Sequence, residues 1–257
     1  MKVVVCVKQI PDPANPGALD PNTHLLVRDD KLILDESDSY GVEMALQLVE
    51  AAGGGSVHLV SMAPRSETSG LRTALAMGAE DAVLVSDDAL AGSDALSTAK
   101  VLAKAVERYS PDLVLAGTES SDGYTGTVPE QVAALLGWPS LGFAKKIDVA
   151  DGTVTVERQT DAGYDVVSAP TPCLATVTAG VVEPRYPSFK GIMAAKKKPV
   201  DEVGLGDLGL EGVGGANSGQ ATVKVEEAPA REAGEIIEDE GEAHLRIVEF
   251  LEGLKAI

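Results

Sequence analysis

Residues 116–131 read "AGTESSDGYTGTVPEQ", a stretch with the right side chains for holding an anion. Gly117, Gly123 and Gly126 let the backbone approach a ligand, and Ser120, Ser121, Thr125 and Thr127 offer hydroxyl donors. A helix expected from about Thr127 would add free N–H groups, so a phosphate could be cradled without a lysine. The same composition also suits an ordinary capped loop. Two further loops carry small or polar residues: "KQIPDP" at 8–13 and "LDESDS" at 34–39.

Catalytic patterns are missing from the sequence. There is no GxxxxGK[ST], no GxGxxG after the first apolar run, no hydrolase elbow and no metal-spaced His/Asp set. His24, His58 and His244 are scattered and read as structural or solvated. Cys6 and Cys173 lie in different apolar runs and read as small buried hydrophobes of a reducing compartment. A binding site without a catalytic constellation is the expectation.

A second unusual stretch is "EPRYPSFKGIMAAKKKP" at 183–199, with Arg185, Lys190, Lys196, Lys197 and Lys198 against one carboxylate. The chain as a whole has a formal net charge of −19. That field repels nucleic acid and anionic lipid, so neither is expected as a partner. Pro184 and Pro187 predict an irregular loop that exposes Phe189, an aromatic anchor bordered by charge. Lys196 to Lys198 are expected to neutralise the acidic body or to start the C-terminal tail.

The elements that must position these loops follow from apolar periodicity. Strands are expected at "KVVVCVK" from Lys2, "SVHLVSM" from Ser56, "DAVLVSD" from Asp81 and "DLVLAGT" from Asp112, each apolar on both faces. Helices are expected at 40–52, 66–77, 94–109 and 127–136, with Ser66 and Ser93 as N-caps of the second and third. This βα alternation predicts an α/β fold with a doubly wound, mostly parallel sheet. A hairpin turning at Asp29-Asp30 is expected within an insertion at about 11–35, and a second hairpin turns at Asp151-Gly152. Beyond Gly180 both periods fade; 198–219 is too glycine-rich and acidic for a core, and Leu245, Val248, Leu251 and Leu254 mark one late helix. Met1 leads directly into "VVVCV", with no secretory h-region and no membrane-length apolar run, so a cytoplasmic bacterial protein is expected.

Five segments, in order, resemble the β subunit of electron transfer flavoprotein: "VVVCVKQIPD", "LRTALAMGAEDAVLV", "DLVLAGTESSDGYTGTVPEQVAALLGWP", "VERQTDAGYDVVSAPTPCLATV" and "EPRYPSFKGIMAAKKKP". The likeness runs from Lys2 to about Lys198. It implies a Rossmann-like fold of the adenine nucleotide α-hydrolase type at 1–190, with a recognition loop at about 183–198. The remaining 191–257 would be an arm wrapping the partner α subunit. It further implies a heterodimer whose FAD is held mainly by the α subunit. Such a protein passes single electrons from acyl-CoA and other flavin dehydrogenases to a quinone oxidoreductase or other acceptor, and buries AMP in the β subunit. By position, AMP contacts would fall at Cys6, Asp35, Glu36, Ser37, Asp38, Met62, Gly117, Ser121, Asp122, Gly123, Tyr124, Thr125, Gly126, Thr127 and Val128. Dehydrogenase docking would fall at Tyr186, Phe189, Ile192 and Met193. The "DGYTGTV" loop departs from the Asp-Asp-x-Asn-Gln-Thr run of many AMP-type members and is nearer the bifurcating members that bind a second FAD, although Tyr124 and Thr127 depart from that pattern too. AMP is the expectation, and a second FAD its alternative; a stand-alone nucleotide-binding sensor of the same fold is the rival reading.

Overall fold

The structure is a computed structural model that describes residues 1–15, 17–28, 32–65, 67–226, 229, 234, 236–239 and 241–257. The four expected strands form where their apolar runs lie: β1 (Lys2–Cys6), with β4 (Ser56–Met62), β5 (Asp81–Val85) and β6 (Leu113–Gly117). Between β1 and β4 come two short strands, β2 (Gln9–Pro11) and β3 (Leu32–Leu34). The chain then adds β7 (Ser140–Ala150), β8 (Thr153–Thr160), β9 (Gly163–Pro170), β10 (Cys173–Val177) and β11 (Val200–Val203).

Among the described residues the main sheet has nine strands in the order β11-β5-β4-β1-β6-β10-β7-β8-β9. It is parallel from β11 to β7 and antiparallel across β7, β8 and β9. Val3 and Val5 pack into one hydrophobic layer and Val4 into the other, as a strand covered on both faces requires. From β1 the chain winds toward β4 and β5, whereas β6 is followed by β7 and β10 on the other side. The order therefore reverses between β1 and β6, where a doubly wound sheet opens a ligand crevice. Asp151 and Gly152 both take positive φ (48° and 72°), and the β7–β8 hairpin turns there as its sequence predicts.

The helices are α1 (Glu36–Ala51), α2 (Ser69–Met77), α3 (Ala95–Glu107), α4 (Val128–Leu136), α5 (Phe189–Ala195) and α6 (Ala243–Gly253). Two boundaries differ from expectation for capping reasons. Asp35 accepts from the Ser37 N–H, so α1 starts at Glu36 and absorbs most of the supposed "LDESDS" loop. Asp94, rather than Ser93, accepts from the Ser97 N–H at 2.7 Å and caps α3. The Ser66 cap lies outside the described residues, as does the Asp29-Asp30 turn. The insertion also pairs differently: β3 lies antiparallel to β2, because Leu32 and Leu34 alternate into the core beside Ile10.

The first compact unit runs from Met1 to Thr222, and Val223–Ile257 form a second unit. The segment after α5 adds β11 to the edge of the main sheet, with Val203 and Val213 buried. Its glycines allow this. A Cβ on Gly214 would sit 2.1 Å from the Ala89 carbonyl oxygen, and one on Gly215 only 1.9 Å from that of Ala91. Among the described residues no helix is long and apolar enough to cross a membrane.

At the amino ends of β4 and β5, His58 bridges Ser56 Oγ and Asp81 Oδ1, each at 2.9 Å. Its ring stacks on Tyr109, whose hydroxyl donates to the same Asp81 oxygen at 2.7 Å. This cluster lies at the opposite end of β4 from Met62 and joins β4, β5 and the end of α3. His58→Ala is expected to lower the unfolding free energy by about 2–3 kcal/mol, read as a lower urea midpoint at unchanged m-value.

Candidate nucleotide site

The carboxyl ends of β1, β4 and β6 supply Cys6, Met62 and Gly117 to one cavity of about 310 Å3. The starts of α3 (Ser93, Asp94, Ala95) and α4 (Val128, Pro129) form its far side. Two helix N-termini therefore border the crevice at the strand-order reversal, which favours negative charge there. Thr127 caps α4 without a side-chain bond to the helix backbone, so first-turn N–H groups lack intrahelical partners. Gly126 takes φ +61°, and a Cβ on Gly117 would come within 2.9 Å of Ser37 Oγ and 3.1 Å of Asp38 Oδ1. Close backbone approach is a requirement of this site. The apolar wall of Cys6, Val7, Met62, Leu102, Ala116 and Val128 suits a flat heterocycle.

The fifteen residues singled out by the resemblance divide into groups. Cys6, Asp38, Met62, Gly117, Gly123, Thr125, Gly126 and Val128 line the cavity. Asp35, Ser37, Ser121 and Asp122 stand behind it and fix its loops. Asp35 Oδ1 accepts from Ser37 N and Oγ, at 3.0 and 2.8 Å, and Oδ2 from Ser121 N and Oγ, at 2.8 and 3.0 Å. One buried carboxylate thereby joins the start of α1 to the glycine-rich loop. Asp122 pairs with Lys8 Nζ at 2.6 Å and with Arg28. Burial pushes Asp122 upward, but those two cations outweigh it and hold the carboxyl below its usual range. Tyr124 is exposed at φ 48°, and Thr127 Oγ1 accepts from Gln131 Nε2 at 3.2 Å. Glu36 lines a different cleft, with Tyr40, Arg185 and Tyr186.

Sequence reasoning placed Lys8 only within the "KQIPDP" loop and Ser93 only as a cap, and missed Asp94 and Thr98; all four line the cavity. Lys8 follows directly on β1, and Asp94 stands three residues before Ser97, so both had a positional signal. Asp94 also reaches Gly219 N–H with Oδ2 at 2.7 Å. These bonds to Ser97 and Gly219 keep it charged below the usual carboxylate range. The Cys6 thiol is pushed up to about 12 by burial and by Asp38, so it is not a nucleophile near neutrality.

The cationic stretch takes a different form from the expected loop. Ser188 Oγ accepts from Gly191 N–H at 3.0 Å and starts the short helix α5 at Phe189. Gly191 is needed there, because a Cβ would lie 2.5 Å from the Ala76 carbonyl oxygen. Arg72 donates to the Ala195 and Lys198 carbonyls, both at 2.7 Å. Lys198 is neither a loose neutraliser nor the start of an arm: its Nζ donates to the carbonyls of Leu75 (2.9 Å) and Ala79 (2.6 Å) at the end of α2. Arg185 binds Glu43 through Nε at 2.6 Å and Nη2 at 3.0 Å, and also Glu50. Burial raises Glu43, but the Arg185 and Gln47 bonds pull it below its ordinary value. On this braced platform Tyr186 and Phe189 are 94% and 81% exposed, and Ile192 and Met193 are about half exposed.

A family model described as "Electron transfer flavoprotein domain" matches residues 23–208. The chain is 41% identical to the electron transfer flavoprotein subunit beta of Mycobacterium bovis, over 99% of each protein. It is 34% identical to the protein of that name from Megasphaera elsdenii, over 97% of this chain and 96% of the relative. It is 35% identical to the caffeyl-CoA reductase-Etf complex subunit CarD of Acetobacterium woodii, over 92% of each. With its parallel sheet, crevice and braced aromatic platform, the chain belongs to the electron transfer flavoprotein family, among the β subunits.

Proposed function

We propose that this chain is the β subunit of a heterodimeric electron transfer flavoprotein, with AMP bound in the cavity at the β1/β6 reversal. The carrying observation is that cavity: about 310 Å3, bordered by two helix N-termini and walled by apolar residues, it suits one mononucleotide. The phosphate would lie against Thr125, Gly126 and the start of α4, the adenine against Cys6, Val7 and Met62. FAD, held mainly by the α subunit, supplies the one-electron chemistry. The residues of this chain do the rest: Asp35 and Asp122 hold the nucleotide loop in place, and Arg185, Arg72 and Lys198 hold α5 as a rigid docking surface. The second unit would lie along the α subunit, because among its described residues Leu245, Ile247, Phe250 and Leu254 are exposed and no side chain of α6 is buried.

Flavin dehydrogenases, acyl-CoA dehydrogenases among them, would dock on Tyr186, Phe189, Ile192 and Met193 and deliver electrons that pass to a quinone oxidoreductase or similar acceptor. The test is Phe189→Ala in the purified heterodimer. Flavin content and thermal midpoint should match wild type, while electron transfer from the dehydrogenase falls at least about tenfold, the usual effect of removing an aromatic anchor. Unchanged transfer removes the docking assignment. A second reading, a second FAD in place of AMP, draws on the "DGYTGTV" loop and on the likeness to an Etf complex subunit. A chain that stays colourless and monomeric beside its α partner would instead be a stand-alone nucleotide sensor.

A further inference from the structure

Among the described residues Asp38, like Asp35 and Asp94, forms no ion pair, whereas Asp122 holds two cations. Unlike Asp35 and Asp94, Asp38 does not spend both oxygens on loop and cap bonds of its own. It sits in the first turn of α1, is 6% exposed and lines the cavity where the ends of β1 and β6 meet. Its carboxyl accepts the Lys8 backbone N–H at 2.5 Å. The nearby cation, the Lys8 ammonium, is turned to Asp122 at 2.6 Å and Ser120 at 3.1 Å. On the same side, the carboxylate of Asp35 is fully buried and accepts four hydrogen bonds from Ser37 and Ser121. Burial and the Asp35 charge favour the neutral form of this carboxyl and outweigh the backbone N–H groups and the Lys8 charge that favour the ionised one. A neutral carboxyl can still accept two N–H groups and has one O–H left to give.

We propose, resting on the nucleotide reading above, that Asp38 is a specificity-determining residue of the cavity. It recognises the nucleotide as a neutral acid by donating its proton to an acceptor atom of the ligand. Binding is then coupled to proton uptake wherever the empty site has lost that proton. The neighbouring groups leave the alkaline window clear. Burial and Asp35 push Asp38 up to about 8, whereas Cys6 on β1 is pushed to about 12. Asp122, in the loop after β6, and Asp94, capping α3, are both held low and stay charged above neutrality. The other charged groups around the site, Asp35, Lys8 and Glu119, remain in the Asp38→Asn variant as an internal control. An ionised Asp38 would repel the phosphate and offer no donor.

The experiment is calorimetric titration of AMP into nucleotide-stripped heterodimer from pH 7 to 9.5, in pairs of buffers with different ionisation heats. The expected result is an association constant that falls about tenfold between pH 8.5 and 9.5, with close to one proton taken up per AMP at pH 9. Asp38→Asn, which keeps an acceptor and a donor amide, should bind AMP with no such pH dependence. Wild-type binding of equal strength across the window without proton uptake overturns the inference while leaving the nucleotide reading standing. Absence of AMP binding at every pH overturns both.

Discussion

Asp35→Ala is expected to lower the unfolding free energy by roughly 3 kcal/mol and to reduce retained nucleotide at least tenfold. Asp35 is fully buried, and its two oxygens accept four hydrogen bonds that hold two separate loops. Losing the N-cap of α1 alone costs about 1 kcal/mol. The Ser37 and Ser121 N–H groups then lose their acceptor, and an unsatisfied buried donor costs about 1–3 kcal/mol. Relief of Asp38 from its charged neighbour works in the opposite direction and keeps the total below the sum. Asp35→Asn retains an acceptor oxygen, so it should recover part of both effects. Urea unfolding and extraction of bound nucleotide from the same preparations read the two consequences together. Full nucleotide content in Asp35→Ala would show that the brace is unnecessary.

Asp38→Asn is expected to make the protein more stable at neutral pH, by a few kcal/mol, and to flatten its pH dependence. The sign follows from the protonation states. With its folded value raised from 3.8 to about 8 by burial and Asp35, Asp38 keeps a proton in the fold that the unfolded chain has released. Between about pH 4 and 8 wild-type stability therefore falls as pH rises, by up to about 1.4 kcal/mol per unit from this residue, and levels off above. Asparagine has no proton to retain and still accepts an N–H. Asp122, Asp94 and Glu43 are shifted downward, so their contribution is present above the unfolded carboxylate range and is lost only in acid. Unfolding at pH 5, 7 and 9 should show the gap between variant and wild type widening from 5 to 7. Parallel curves would mean that Asp38 is ionised in the fold.

Much of this architecture is legible because the pattern acts directly on the backbone. Runs such as "VVVCV" and "LVLAG" are apolar on both faces, a requirement of central parallel strands, and Asp151-Gly152 supplies the positive φ that its hairpin needs. β11 is hidden for the complementary reason. Of Val200–Val203 only Val203 is buried, so an edge strand held by pairing to β5 carries little periodic signal. Glycines read as a sign of poor packing instead allow close packing at Gly214 and Gly215. Prolines at 184 and 187 were a fair sign of irregularity, but Ser188 caps a helix directly after them.

Within the site, the loops were readable and the division of labour was not. Type and spacing single out "ESSDGYTGTV", several residues of which line the cavity, but whether Asp35 or Asp38 touches that cavity depends on which carboxyl has captured Ser37 and Ser121. Such long-range hydrogen bonds leave no periodicity. The same holds for Lys8, whose ammonium is claimed by Asp122, 114 positions away.

The proposal that the β-subunit cavity holds AMP beside an α-bound FAD is tested most directly by the nucleotide content of the purified heterodimer. The chain is co-expressed with its α partner, the co-eluting yellow complex is denatured, and the released nucleotides are quantified by chromatography. One FAD and one AMP per heterodimer are expected. Two FAD with no AMP, or a colourless chain that elutes alone, would contradict the proposal.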